Sequence, residues 1–179
     1  VEGSQKELIY MNKSNLNSCP DYLREFLVYM ETIKNRSPKT VDGYYIELRS
    51  FIRYLMLDRK LVPKDTEYSE IDISNASFNL IKNATKLDAM NFLAEFKSEH
   101  SNHEKARSRK VSAIRSFYKY LTVSSGKLQE NPMLNLETPK LKKTLPKYLT
   151  LEQALELLTH VETNFTERDF CIITLFLNC

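Results

Sequence analysis

The side chains best suited to chemistry in this 179-residue sequence lie along one predicted helix, where residues 105–121 read KARSRKVSAIRSFYKYL. No acidic residue falls between Lys105 and Gln129. Hydrogen-bonding groups recur there every three or four positions and so share a face. Arginine's planar fork can hold a phosphate or two guanine acceptors, and hydroxyl groups can add further contacts. The pattern predicts binding to a polyanion by this face, formed by Ser108, Ser112, Arg115 and Lys119.

The basic charge of the chain is concentrated around this helix. From Lys105 to Tyr148 there are eleven lysines and arginines and only two glutamates, a net charge of +9. The whole chain carries +3, so the remaining residues sum to −6. A basic stretch within an otherwise acidic protein is typical of a surface that binds nucleic acid, although a solvated helix face with a solvated linker would give the same count.

Other kinds of chemistry have little support in the sequence. It contains no glycine-rich phosphate loop and no nucleophile with recognisable partners. His100 and His103 stand three apart without a further ligand nearby, which favours a solvated loop over a metal site. We therefore expect neither a cofactor nor a small-molecule substrate.

The cysteines and hydropathy indicate where the protein works. Cys19, Cys171 and Cys179 are odd in number and widely spaced, which favours a reducing compartment. No apolar run approaches the ~20 residues of a membrane span. These features predict a cytoplasmic protein without a membrane partner.

The fold expected from composition and periodicity is all-α. Three glycines and six prolines leave few turns for short strands. Apolar residues at three- and four-residue spacing predict helices over 21–35, 38–59, 87–100 and 104–124, with a further helical turn or two near Phe78–Ile81. Ser37-Pro38 supplies an N-cap and a first-turn proline, and Thr85 with Asp88 resembles a capping box.

The predicted helix 38–59 carries a second set of candidate contacts on its polar side: Lys39, Thr40, Arg49 and Arg53. Tyr44 fits the apolar stripe as well as the polar side, so it is as compatible with the core as with a contact. Gly43 leaves a place where a backbone could approach closely.

Prolines 132, 139 and 146 interrupt a lysine-rich stretch, and residues 126–147 therefore predict an interdomain linker. Thr150 then caps a predicted helix over 151–161, and Thr166 with Asp169 caps another over 168–179. The last helix is apolar all round, which is typical of a helix inside a larger domain.

Three collinear segments resemble the phage-integrase-like tyrosine recombinases, especially their Xer-type members. RKVSAIRSFYKYL resembles the fourth helix of that family, SPKTVDGYYIELRSFIRYL its second, and NPMLNLETPKLKKTLPKYLTLEQALELL its linker and the first helix of its catalytic domain. The three matches lie in the family's order, and together they cover about residues 20–179. The connection over 60–84 departs from the pattern because it is longer than in compact members.

The resemblance implies a four-to-five-helix, SAM-like core-binding domain followed by a helical stub of the catalytic domain. The expected divisions are an extension at 1–19, the core-binding domain at 20–125, the basic linker at 126–147 and the truncated start of the catalytic domain at 148–179. It further implies double-stranded DNA and other recombinase protomers as partners, in recombination and integration. The family's catalytic residues are expected beyond Cys179, so this fragment is not predicted to be an enzyme.

The main alternative is an all-helical protein-interaction domain whose basic face meets an acidic partner. A helix-turn-helix transcription factor fits less well, because no tight turn leads into an obvious recognition helix. On the DNA-binding interpretation the lysines of the linker follow the DNA backbone. The predicted DNA-contacting residues are Lys39, Thr40, Tyr44, Arg49, Arg53, Arg107, Arg109, Lys110, Ser112, Arg115, Lys119, Lys140, Lys142, Lys143 and Lys147.

Overall fold

The computed structural model describes residues 18–63, 65–98, 103–138, 148–160 and 166–178. Every regular element in these ranges is helical, which confirms the all-α class. None of the described helices is both long and apolar enough to span a membrane. In chain order the α-helices are α1 Asp21–Thr32, α2 Pro38–Asp58, α3 Phe78–Lys82, α4 Lys86–Ser98, α5 His103–Lys119, α6 Leu151–Thr159 and α7 Thr166–Asn178.

The helix starts follow local capping chemistry. Ser37 accepts the Thr40 amide at the start of α2, where Pro38 occupies the first turn. Thr85 and Asp88 cap α4 reciprocally: the Asp88 carboxylate accepts the Thr85 amide at 2.7 Å, and the Thr85 hydroxyl accepts the Asp88 amide at 3.2 Å. Both predicted caps are confirmed.

The ends of α1 and α5 differ most from the sequence prediction. α1 ends at Thr32 rather than at 35, because Asn35 adopts a left-handed conformation with φ 49° and the Arg36 amide bonds back to the Met30 carbonyl. α5 ends as an α-helix at Lys119 and continues as a π-helical turn over Tyr120–Ser124. Gly126, with φ 64°, then follows the end of the helical run.

Contacts divide the chain into two compact units, 1–141 and 142–179. The first unit is built around one apolar core, to which α1 to α5 all contribute. α5 contacts both α2 and α4, and α2 contacts α1, α3 and α4. Phe117 and Tyr118 of α5 are fully buried. The largest fully buried side chains are Phe26, Tyr45, Phe51, Phe92, Phe117 and Tyr118.

The segment predicted as a linker from residue 126 begins as part of this core. Leu128, Met133 and Leu136 are buried, and the Leu128 amide donates to the Leu121 carbonyl at 3.0 Å. These three residues are spaced irregularly among polar ones, so the sequence pattern does not predict their burial, which depends on tertiary packing. Residues 128–136 therefore pack with the first unit, and the boundary between the two compact units falls after 141.

The connection between α2 and α3 is fastened to α2. Ile71 and Ile73 are buried, and Arg53 Nε donates to the Ile71 carbonyl at 2.8 Å. Tyr68 bonds to both the hydroxyl and the carbonyl of Ser50. These contacts hold the long 60–84 segment against one side of α2, and it contains the short helix α3, as predicted.

The second unit contains α6 and α7 within the described residues. Thr150 and Gln153 form a complete capping box at the start of α6, as predicted for Thr150. α7 begins at Thr166, two residues before the predicted start at 168. Large apolar side chains on both helices are exposed, among them Leu151, Leu155, Leu175 and Phe176.

Candidate nucleic-acid interface

The first unit carries a groove between α2 and α5 with a volume of about 540 Å³, here called the α2–α5 groove. Both helices turn polar side chains toward it because their opposite sides pack into the core. Its lining residues are Lys39, Thr40, Gly43, Tyr44, Ile46, Glu47, Ser108, Arg109, Ser112 and Ala113. Five of the predicted contact residues thus line one groove, although they come from two helices far apart in sequence.

A second depression of about 570 Å³ adjoins this groove and shares Tyr44 and Ser112 with it. We call it the α5 depression. It extends along the same helix past the π-helical turn to the anchored 131–134 segment. Its lining residues are Tyr44, Ser112, Arg115, Ser116, Lys119, Thr122, Val123, Asn131, Met133 and Leu134.

The exposed cations of this face are available to an anionic partner. Lys39, Arg115 and Lys119 are exposed, and none of the three forms an ion pair with a described carboxylate. Arg109 is the most open of the paired cations, with 73% of its side chain exposed and its Nε 4.0 Å from Glu47. Thr40 and Ser112 line the α2–α5 groove with Lys39 and Arg109, and Ser112 also lines the α5 depression with Arg115 and Lys119. Charge with hydrogen-bond donors on one concave face suits phosphate and base-edge contacts.

Tyr44 belongs to both the core and the face. Its ring packs edge-on against Phe26, with centroids 5.9 Å apart, and the residue is half-buried. It also lines both depressions. The sequence left core and contact equally open, and the structure gives Tyr44 an apolar anchor together with an accessible edge.

Lys110 was predicted as a DNA contact, but its ammonium group is held within the protein. Nζ lies 2.6 Å from Glu47 Oε2, and only 12% of the Lys110 side chain is exposed. The same nitrogen lies 5.5 Å from the centroid of the Phe92 ring, a cation–π contact. An ion pair and an aromatic face thus hold this cation away from solvent.

Arg49 and Arg53 project from the side of α2 away from the groove. The Arg49 guanidinium lies 5.1 Å from the centroid of the Tyr45 ring, and Arg53 holds the Ile71 carbonyl. Burial lowers the pKa of Arg53 from its ordinary value, and the nearby charge of Arg49 adds to the effect. Successive helix residues are rotated by 100°, so 49 and 53 cannot share the side of 40, 43 and 47.

The other predicted residues fall outside these two depressions. Arg107 is half-buried and lines neither one. The four linker lysines, Lys140, Lys142, Lys143 and Lys147, lie outside the described residues.

Sequence reasoning did not select Glu47, Ser116, Thr122 or Asn131 as site residues. Glu47 follows Thr40 and Tyr44 at helical spacing, so its position on that face could have been read from the pattern. Ser116 and Thr122 line the α5 depression from the same helical run as Arg115, but Asn131 reaches it only because Met133 is buried beside it. No short-range signal predicts that last placement.

The described residues contain no group of three or more side chains that could hold a metal ion. No protein-family model matches the chain, and no solved structure matches it. Curated sequences do match. The chain is 42% identical over 175 residues to the tyrosine recombinase XerC of Caldanaerobacter subterraneus subsp. tengcongensis, covering 98% of this chain and 49% of that protein.

Two further relatives agree with this match. The tyrosine recombinase XerC of Myxococcus xanthus is 31% identical over 162 residues, covering 89% of this chain and 47% of the relative. The tyrosine recombinase XerD of Listeria innocua is 29% identical over 144 residues, covering 80% and 42%. The chain spans about half the length of the curated relatives it matches, and by sequence it belongs with the Xer-like tyrosine recombinases.

Proposed function

We propose that this chain grips double-stranded DNA through the face formed by the α2–α5 groove and the α5 depression. The observation that carries the proposal is the convergence of Lys39, Arg109, Arg115 and Lys119 on this one face. Helical faces that present guanidinium, ammonium and hydroxyl groups can dock on phosphates and enter the major groove. The names of the relatives as recombinases, enzymes that act on DNA, support the same assignment.

Within the face we assign two roles. Arg115 and Lys119, which line the α5 depression, contact phosphates and supply affinity that does not depend on sequence. Arg109, Thr40 and Ser112 line the α2–α5 groove, where hydrogen bonds to base edges contribute sequence preference. The undescribed linker lysines extend the phosphate contacts. The two units correspond to a core-binding domain and the start of a catalytic domain.

The full-length protein, on this proposal, acts in site-specific DNA recombination together with other protomers assembled on the same DNA. No residue of the present chain is assigned a catalytic role, so its part is to bind and position the duplex. A covalent protein–DNA adduct formed by this chain on a nicked suicide substrate would contradict that division of labour.

The proposal is tested by fluorescence anisotropy with a labelled duplex of randomised sequence and purified chain. Arg115→Ala and Lys119→Ala should each weaken binding and lower the slope of log affinity against log salt by about one. Lys82→Ala is the matched control, because Lys82 is an exposed lysine on α3 and lines neither depression. Equal losses for all three variants would indicate a diffuse charge effect rather than a binding face.

A poly-glutamate peptide separates the DNA assignment from its rival. If the basic face serves an acidic protein partner, the peptide should displace the duplex at equal concentrations of charge. We expect the duplex to be retained, because the spacing of cations and hydroxyl groups suits a phosphate backbone and base edges rather than charge alone.

A further inference from the structure

Glu47 is the one acidic residue among those lining the α2–α5 groove. Its carboxylate is only 15% exposed, with Oε2 2.6 Å from Lys110 Nζ and Oε1 4.0 Å from Arg109 Nε. A carboxylate in a groove that meets DNA repels phosphates, so its presence opposes affinity. Attraction to DNA therefore does not explain why Glu47 lies beside Arg109 and Lys110 of α5.

The pairing changes which cations a duplex can meet. Lys110 is drawn back against Glu47 and the ring of Phe92, and only 12% of its side chain remains exposed. Arg109 keeps 73% of its side chain exposed, because its contact with the same carboxylate is long. The groove thus presents a planar guanidinium, which can form two directed hydrogen bonds, while the lysine, a point charge that binds any phosphate, is withheld.

We propose that Glu47 is a specificity-determining residue that lowers the general affinity of the groove for the DNA backbone by retaining Lys110. A larger share of the binding free energy must then come from directed contacts such as those of Arg109. This inference rests on the proposed function, since it assigns a role within the same DNA-binding face.

The test is a double-mutant cycle on Glu47 and Lys110, with the randomised duplex as the probe. Glu47→Gln removes the carboxylate and releases Lys110, so affinity should rise roughly fivefold to tenfold and the log–log salt slope should steepen by about one. Lys110→Gln leaves the carboxylate uncompensated in the groove and should weaken binding. The double variant should return close to the wild-type affinity.

Glu70→Gln is the matched control, because it raises the net charge equally from an exposed position on the 60–84 connection. It should leave the affinity unchanged. A gain from Glu70→Gln as large as that from Glu47→Gln would overturn the proposal, as would a Glu47→Gln variant with the wild-type affinity and slope. Loss of folding cannot imitate the expected result, because an unfolded chain would not bind more tightly.

If thermal melting shows that Glu47→Gln does not fold, Lys110→Gln is compared with the double variant, which differs from it only in the carboxylate. Tighter binding by the double variant, with intact melting transitions in both, supports the repulsive carboxylate, and equal binding refutes it. The wild-type chain separates the two proposals: if it fails to bind any duplex, the proposed function is wrong, whereas wild-type binding without the predicted cycle rejects only the role of Glu47.

Discussion

The hydroxyl of Tyr118 donates to the backbone carbonyl of Ile81 at 2.8 Å, in the buried interior of the first unit. The bond joins α5, which lines the proposed DNA-binding face, to α3, which belongs to the long connection. Burial raises the pKa of Tyr118 far above its ordinary value, so the hydroxyl keeps its proton and remains a donor. The connection is thereby fixed to the helix that carries the basic side chains.

Replacing Tyr118 with Phe should lower the free energy of unfolding by about 1–3 kcal/mol, because the Ile81 carbonyl loses a buried donor. Tyr22→Phe is the matched control. The Tyr22 hydroxyl is buried with no hydrogen-bond partner among the described residues, so its removal should be neutral or stabilising. Urea denaturation of both variants measures the difference, and equal losses would contradict this account of the Tyr118 bond.

Asp88 combines a helix cap with an ion pair. Its carboxylate accepts from Thr85 and also lies 2.8 Å from Arg59 at the end of α2. Asp88→Ala should therefore cost about 1–2 kcal/mol, more than the few tenths expected from exposed ion pairs alone. Asp21→Ala removes an exposed ion pair with Arg24 and an acidic residue from the first turn of α1, but no cap, and serves as the control in thermal melts. A cost for Asp88→Ala no larger than that of the control would argue against the cap.

A substitution at Met133 shows whether the segment after Gly126 is packed into the core of the first unit or behaves as a linker. Because its side chain is fully buried, Met133→Ala should destabilise the chain by about 2–5 kcal/mol. Leu134→Ala, at an exposed neighbouring position, should change stability little. If both substitutions are tolerated equally in urea denaturation, residues 128–136 behave as the linker that sequence alone predicted.

Gly43 allows the close approach of DNA to be measured. Apart from the two adjoining residues and the nearby backbone of α2 itself, no described heavy atom lies within 4 Å of a Cβ added there, and alanine is favoured over glycine inside a helix by about 1 kcal/mol. Gly43→Ala should therefore raise the melting temperature. If DNA approaches this part of the groove, the same variant should bind the duplex more weakly. Greater stability with unchanged affinity would exclude Gly43 from the contact.

We expect Arg53 to stabilise the fold and Arg115 to bind DNA, so alanine substitutions at the two positions should have opposite effects on stability and on DNA binding. Arg53→Ala removes the bond to the Ile71 carbonyl and should lower the free energy of unfolding by about 1–3 kcal/mol without changing the salt slope of DNA binding. Arg115→Ala should leave stability nearly unchanged and reduce that slope. If Arg53→Ala instead reduces the salt slope and leaves stability unchanged, the side of α2 that carries Arg53 binds DNA, which contradicts the proposed face.

Much of the fold could be predicted because its signals are local. The Ser37 and Thr150 caps, the Thr85–Asp88 box and the buried Phe117 follow from residue types at short spacing. The exact end of α1 was missed because the left-handed conformation of Asn35 depends on a tight local turn that competes with helix continuation.

The site could be predicted only in part. Helical spacing identified Ser112, Arg115 and Lys119 as sharing a face, and the structure adds Lys39 and Thr40 of α2 to the same surface. Helical spacing does not predict ion pairs between distant residues, such as the pair of Lys110 with Glu47, 63 positions away. Nor can it reveal the bond between Arg53 and Ile71, because the path of the 60–84 connection is set by long-range packing.

Whether the face of α2 and α5 binds DNA phosphates is measured by the salt dependence of duplex binding by the wild-type chain. With four to six phosphates contacted, log affinity should fall with log salt with a slope of about −4 to −5. A flat response, or no binding to the duplex at low salt, would show that this face does not bind DNA phosphates.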